Sequence, residues 1–180
     1  MKSKFSFLFV LAVLFVSCRK ESVDYLRIEG ITEAAMGGPT GRYFDPDDWN
    51  LNDQFTKREK QLFEGLDFSK TAEAEPVNVD EVGGIISEDT TPRISFGPNP
   101  FCEITFLCYY RNDYTINLVI VDNHYNKLFS YRGEINQCYV RYWLQLDYEK
   151  IYRMYYVLQD KNDNIVHCGH GDILKSENGF

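Results

Sequence analysis

The sequence has no apolar run long enough to cross a bilayer as a helix. Its longest, Phe5 to Val16, is broken only by Ser6 and covers 12 residues, against the roughly 20 that a spanning helix needs. Positive charge is also in short supply: 19 Lys and Arg against 27 Asp and Glu leave a formal charge of −8. That balance argues against nucleic acid as a partner and against charge-driven binding to anionic lipid. There is no Gly-x-Ser-x-Gly elbow, no His-Glu-x-x-His and no glycine-rich phosphate loop. A Cys–His dyad drawn from Cys168 with His167 or His170 would sit in one short strand without an orienting partner. The chain therefore reads as non-catalytic. No internal repeat divides it.

The short apolar run takes its meaning from its flanks. Met1-Lys2-Ser3-Lys4 supplies a positive start and small Ser17 follows the run, which together describe a secretory signal over residues 1–17. Cys18 comes directly after. Leu14-Phe15-Val16-Ser17-Cys18 resembles the lipobox of bacterial lipoproteins, with Phe15 where that pattern usually has Leu. The resemblance implies that the Cys18 thiol is acylated, giving the protein a lipid anchor in a membrane. Each buried methylene contributes about 0.8 kcal/mol, so several acyl chains hold durably. Arg19, rather than Asp, after the cysteine implies the outer membrane.

Cleavage leaves 163 of the 180 residues, enough for one domain with a core and an appendage. Residues 18–92 read as the appendage. Gly37-Gly38-Pro39 and Asp45-Pro46-Asp47-Asp48 break any period before about residue 55. Thr56-Lys57-Arg58-Glu59 is a capping box, and Leu62, Phe63 and Leu66 add an apolar stripe, so one short helix is expected. From Ser69 to Pro92 the chain is acidic and poor in aromatics, a linker with room for a short strand over Val82 to Ile86.

Residues 93–180 carry the strand signals. Alternating segments lie at about 104–110, 116–121, 127–131, 138–146 and 151–158. Asp122-Asn123-His124-Tyr125-Asn126 and Asp160-Lys161-Asn162-Asp163-Asn164 are turn sequences between them. A last strand, Ile165 to Cys168, is expected to end in a Gly-containing turn. Short strands at this spacing, without intervening helices, indicate a mainly β chain folded as an antiparallel sandwich. Cys102, Cys108, Cys138 and Cys168 permit two disulfides or four small core residues, and the sequence leaves both open.

Ile94-Ser95-Phe96-Gly97-Pro98-Asn99-Pro100-Phe101 resembles the Pro-Asn-Pro-Phe opening of the C-terminal sorting domains of type IX secretion. Val119-Ile120-Val121-Asp122 with Lys127-Leu128-Phe129 is similar to that family's central hairpin, and Leu144-Gln145-Leu146 with Ile151-Tyr152 to its penultimate pair. The resemblance spans about 80 residues and implies a seven-stranded immunoglobulin-like sandwich. Lys150-Ile151 replaces the family's Gly before Tyr, and the family's basic C-terminal segment is missing, so only the fold carries over.

Three groups of residues are candidates for a site. Asp48, Asn50, Asn52, Gln54, Thr56 and Glu59 occupy the ligand positions of an EF-hand-like loop, which offers calcium six oxygens. Asp53 stands where that loop needs a positive-φ glycine, and only two carboxylates would serve the ion. His167, Cys168, His170 and Asp172 place metal-type ligands within six residues, although neighbours on a strand point to opposite faces. The third group is a surface. If Tyr152, Met154, Tyr156 and Leu158 point inward, Arg153 and Tyr155 point out, and the same alternation turns Tyr139, Arg141 and Trp143 outward. Aromatic rings beside guanidinium groups suit sugar rings or a protein loop, unless residues 19–92 cover them as a second core. The expectation is an outer-membrane module that binds a protein partner of the envelope, with a cell-surface glycan, assisted by calcium, as the alternative. Exposure of Tyr139, Trp143 and Tyr155 favours the glycan; a roof over them favours assembly.

Overall fold

The computed structural model describes residues 25–28, 30–35, 38–72, 94–109, 114–135 and 139–178. Among them the chain is mainly strand, with one short helix. In order these are β1 (Ala34–Ala35), β2 (Gly38–Pro39), α1 (Lys57–Gln61), β3 (Ile94–Gly97), β4 (Ile104–Tyr109), β5 (Thr115–Val121), β6 (Lys127–Glu134), β7 (Tyr139–Trp143), β8 (Lys150–Gln159) and β9 (Ile165–Lys175). The capping box forms: the Thr56 hydroxyl accepts the Glu59 N–H at 3.3 Å, and the Glu59 carboxylate accepts the Thr56 N–H at 2.6 Å. The 82–86 segment, with the signal and Cys18, lies outside the described residues.

All pairing between named strands is antiparallel. β3, β4 and β7 make one sheet, and β6, β5, β8 and β9, in that order, make another. Strand alternation gives the second sheet two faces. Ile116, Leu118 and Ile120 of β5 share one buried cluster with Tyr152, Met154, Tyr156 and Leu158 of β8, and with Ile94 and Phe96 of β3. The two sheets therefore share a core. Val119, Val121, Tyr155 and Val157 face the other way. They form a second cluster with Leu26, Phe55, Leu62 and Phe63 from the chain before β3. Leu26, Phe55, Leu62 and Phe63 are thus packed onto the sheet.

The hairpin turns β5–β6 and β8–β9 are the same structure built from different residues. Asp122 accepts N–H groups of His124 and Asn126 and the Asn126 side-chain amide; Asp160 does the same with Asn162 and Asn164. The fourth residue has positive φ in both, 64° at Tyr125 and 60° at Asp163.

The last strand does not stop at Cys168. It continues through Gly169 and Gly171 to Lys175, as an edge that the rest of the chain seals. Its outward N–H groups at Ile165, Cys168, His170, Asp172, Leu174 and Ser176 donate in turn to Lys70 O, Leu51 O, Asp53 Oδ2, Asp48 Oδ1, Asn99 Oδ1 and Phe101 O, at 2.8–3.1 Å. The carbonyls of Ile165, Cys168, His170, Asp172 and Leu174 accept from Ala72, Asp53, Trp49, the Asn99 amide and Phe101. Buried backbone groups must be paired somewhere, and here several short segments share the task. The glycines allow it: a Cβ at Gly169 would collide with the Asn50 carbonyl, and one at Gly171 with the Trp49 ring.

Candidate functional site

The residues singled out as a calcium loop and as a metal cluster, with Arg153 and Tyr155 of the aromatic face, meet at one place, where residues 45–59 cross β8 and β9. Trp49 fixes the crossing. Its ring stacks on Phe96 at 5.4 Å and on Tyr156 at 6.2 Å, and its backbone N–H donates to His170 O. A φ of 61° is uncommon for a residue with a bulky side chain, so the packing holds it there. The Tyr156 hydroxyl donates to Asn50 O.

Of the calcium-loop side chains, those of Asp48, Asn50, Asn52, Thr56 and Glu59 are engaged with the protein itself. Asp48 is buried and its two oxygens accept the N–H groups of Thr32 and Asp172, each at 2.8 Å. Asn50 donates its amide to Pro46 O and Asp47 O. Asn52 pairs with β9 and sets its side-chain oxygen 3.3 Å from His167 Nδ1. Gln54 is exposed, and Thr56 and Glu59 are spent on the helix cap, with the other Glu59 oxygen accepting the Tyr155 hydroxyl at 3.0 Å. Asp53, at the position where the loop would need glycine, instead ties the crossing down. Its carboxylate accepts the His170 N–H and lies 2.6 Å from His170 Nδ1.

The metal cluster is likewise dispersed. Burial lowers the pKa of His167, and pushes the Cys168 thiol up to about 11 with the help of Asp53. Asp172 is fully buried in a two-pronged pair with Arg153, both contacts at 2.7 Å. Among the described residues no group of three or more His, Cys, Asp and Glu is placed to hold a metal ion. Cys102 and Cys168 are free thiols, so the four cysteines do not form two disulfides.

The five aromatic-face residues are not one surface. Tyr139, Arg141 and Trp143 lie on β7, and Arg153 and Tyr155 on β8, in different sheets. Tyr155 does leave the inner face, as alternation requires, but is 0% exposed under Phe55 and α1. Arg153 is held by Asp172. Trp143 stands out at 64% exposure. What remains open at the crossing is a charged cleft of about 350 Å³ lined by Arg27, Asp45, Asp47, Asp53, Arg153 and His170, among others. Burial and the neighbouring Asp172 raise the Asp48 carboxyl beneath it to about 6. The side chains of this network bond one another and the backbone, so its chemistry is that of a lock.

Exposed apolar side chains collect elsewhere. Tyr43 and Phe44, 68% and 67% exposed, border a groove of about 510 Å³ with Ile31, Pro46, Pro100 and Ile151. Ile151 also lines an adjoining cleft of about 620 Å³ with Leu26, Ile28, His124 and Leu128, and exposed Tyr25 packs on His124. Sequence reasoning passed over Tyr43 and Phe44. The available signal was two consecutive aromatics in a stretch without any period to bury them.

No protein-family model matches the chain, and neither the curated proteins nor the solved structures yield a match.

Proposed function

We propose that the chain is an exported protein, anchored in the outer membrane through acylated Cys18, whose non-catalytic β module docks an envelope protein in the Tyr43–Phe44 groove. One observation carries this reading: Tyr155 of the group suited to a sugar is roofed by the chain itself, whereas exposed Tyr43, Phe44 and Ile151 border one groove. Contiguous exposed apolar surface is where soluble domains meet partners, and aromatic anchors dominate such contacts. The fold enters the proposal as an immunoglobulin-like sandwich. Counting β3 to β9 as seven strands, the first, second and fifth share one sheet and the fourth, third, sixth and seventh the other. That differs from the constant-type arrangement in the sheet that takes the fourth strand.

The test uses the full chain produced in its own cells with a photoreactive residue at Phe44. A discrete cross-link to one envelope protein is expected, absent when the same residue replaces exposed Lys161 and weakened by Tyr43→Ser. Identical patterns from both positions would sink the docking site. Mass analysis of the N-terminal peptide checks the anchor: an unmodified Cys18, or retention of residues 1–17, would overturn it. A second reading, glycan binding, has one specific support in exposed Trp143. Screening a glycan panel with and without calcium, against Trp143→Ala, decides it.

A further inference from the structure

The four-stranded sheet has a second edge, β6, and nothing among the described residues covers it. The Ile135 N–H donates to Tyr114 O at 3.0 Å, which extends the β5–β6 ladder by one hydrogen-bonded pair. Alternation along an antiparallel ladder then turns Gly133, Tyr131 and Phe129 toward β5, and turns the N–H and C=O groups of Ser130, Arg132 and Glu134 away from it. Among the described residues those three have no backbone partner on that side. They are also exposed along the strand. An edge of eight residues left bare is a template for another strand.

We infer that this edge pairs with the β6 edge of a second copy, antiparallel and centred on Tyr131, joining two four-stranded sheets into one of eight strands. Because faces must be preserved across a continuous sheet, residues pair two by two on the same face, and a two-fold axis through Tyr131 satisfies that. Ser130 then lies opposite Arg132 of the second copy as a hydrogen-bonded pair, and the symmetry repeats the pair.

Charge selects this occupant. The β5–β6 register skips Leu128, so Lys127 takes the ladder position next to Phe129. In the self-paired register that position faces Glu134 of the second copy, on the same outer face. Glu134 has no cation partner in its own chain among the described residues, and Lys127 has only a loose one, 4.0 Å from Glu64. Two Lys–Glu contacts thus arise from one symmetric edge, where a lysine and a bulge would otherwise repel a neighbour. This inference is independent of the groove and of the anchor.

The experiment is sedimentation of the full chain in detergent across a concentration series. A dimer is expected. Glu134→Lys sets Lys against Lys twice and should raise the dimer dissociation constant about tenfold or more. The double variant Lys127→Glu/Glu134→Lys restores it. Ser130→Pro removes an outward N–H and blocks pairing, while far-UV circular dichroism keeps its native signal, since edge strands accept such a proline. Should that variant fail to fold, the charge swap and its rescue still decide. A chain monomeric at every concentration, or a dimer indifferent to Glu134→Lys, overturns the inference.

Discussion

The two edges of the four-stranded sheet are solved in opposite ways. At β9 the chain spends Leu51, Asp53, Asp48, Asn99, Phe101 and residues 70–72 on a single strand, leaving no outward backbone group between Ile165 and Ser176 for another molecule at the points they cover. At β6 no described residue pairs with the outward groups of Ser130, Arg132 and Glu134. The difference shows where the information for assembly sits. Sealing needs segments distant in sequence and glycines that let them approach; an open edge needs only charges that suit its occupant. Stability should therefore be concentrated at β9 and nearly indifferent to β6.

The largest effect is expected at Asn99. It is fully buried, and its side chain bonds Thr32 O, Asp172 O and Leu174 N–H, each at 2.9 Å. Asn99→Ala leaves these groups without partners, at a cost of about 4 kcal/mol in urea unfolding. A loss under about 1 kcal/mol would show that water replaces the asparagine and that β9 is sealed only loosely.

Glycines on the two edges sharpen the contrast. Gly171→Val drives a side chain into the Trp49 ring, which is itself pinned by Phe96 and Tyr156, and should cost about 3 kcal/mol. Gly133→Ala on β6 meets the far end of its own strand's Tyr131, which can swing aside, and should cost about 1 kcal/mol. Equal losses in thermal or urea unfolding would erase the distinction between the edges.

Much of this was legible in the sequence, and the limits have physical causes. The period-two alternation placed Tyr152, Met154, Tyr156 and Leu158 inside, and the Asp-x-x-x-Asn turns and the Thr56–Glu59 cap were readable because each is closed by neighbouring residues. Tyr155 was readable as outward but not as buried, since its roof comes from Phe55 and Glu59, about a hundred residues away. Gly169 and Gly171 suggested a turn, because a glycine in sequence looks the same whether it bends a strand or admits a ring. Asp48, Asn50 and Asn52 had the composition of a calcium loop because polar side chains that suit an ion also suit the chain itself. Asp48 accepts backbone N–H groups, Asn50 donates to Pro46 O and Asp47 O, and Asn52 faces His167.

The smallest effect is a dependence on pH, and its direction follows from Asp48. Burial and the nearby Asp172 raise its carboxyl from 3.8 to about 6, against the pull of the Thr32 and Asp172 N–H groups. A carboxyl with a folded value above its unfolded one binds its proton more tightly in the folded chain. Its contribution is therefore fully present below about pH 4 and lost as pH rises through about 6. From pH 7 to pH 5 the protein should gain about 1 kcal/mol from this group. Asp122 and Asp160 are shifted down instead, so what they contribute is lost only in more acidic solution, outside this window. Urea unfolding at the two pH values, in the parent and in Asp48→Asn, isolates the effect, because the amide cannot titrate. A difference unchanged in Asp48→Asn would assign the pH dependence to another group and leave the Asp48 contact with β9 a plain hydrogen bond.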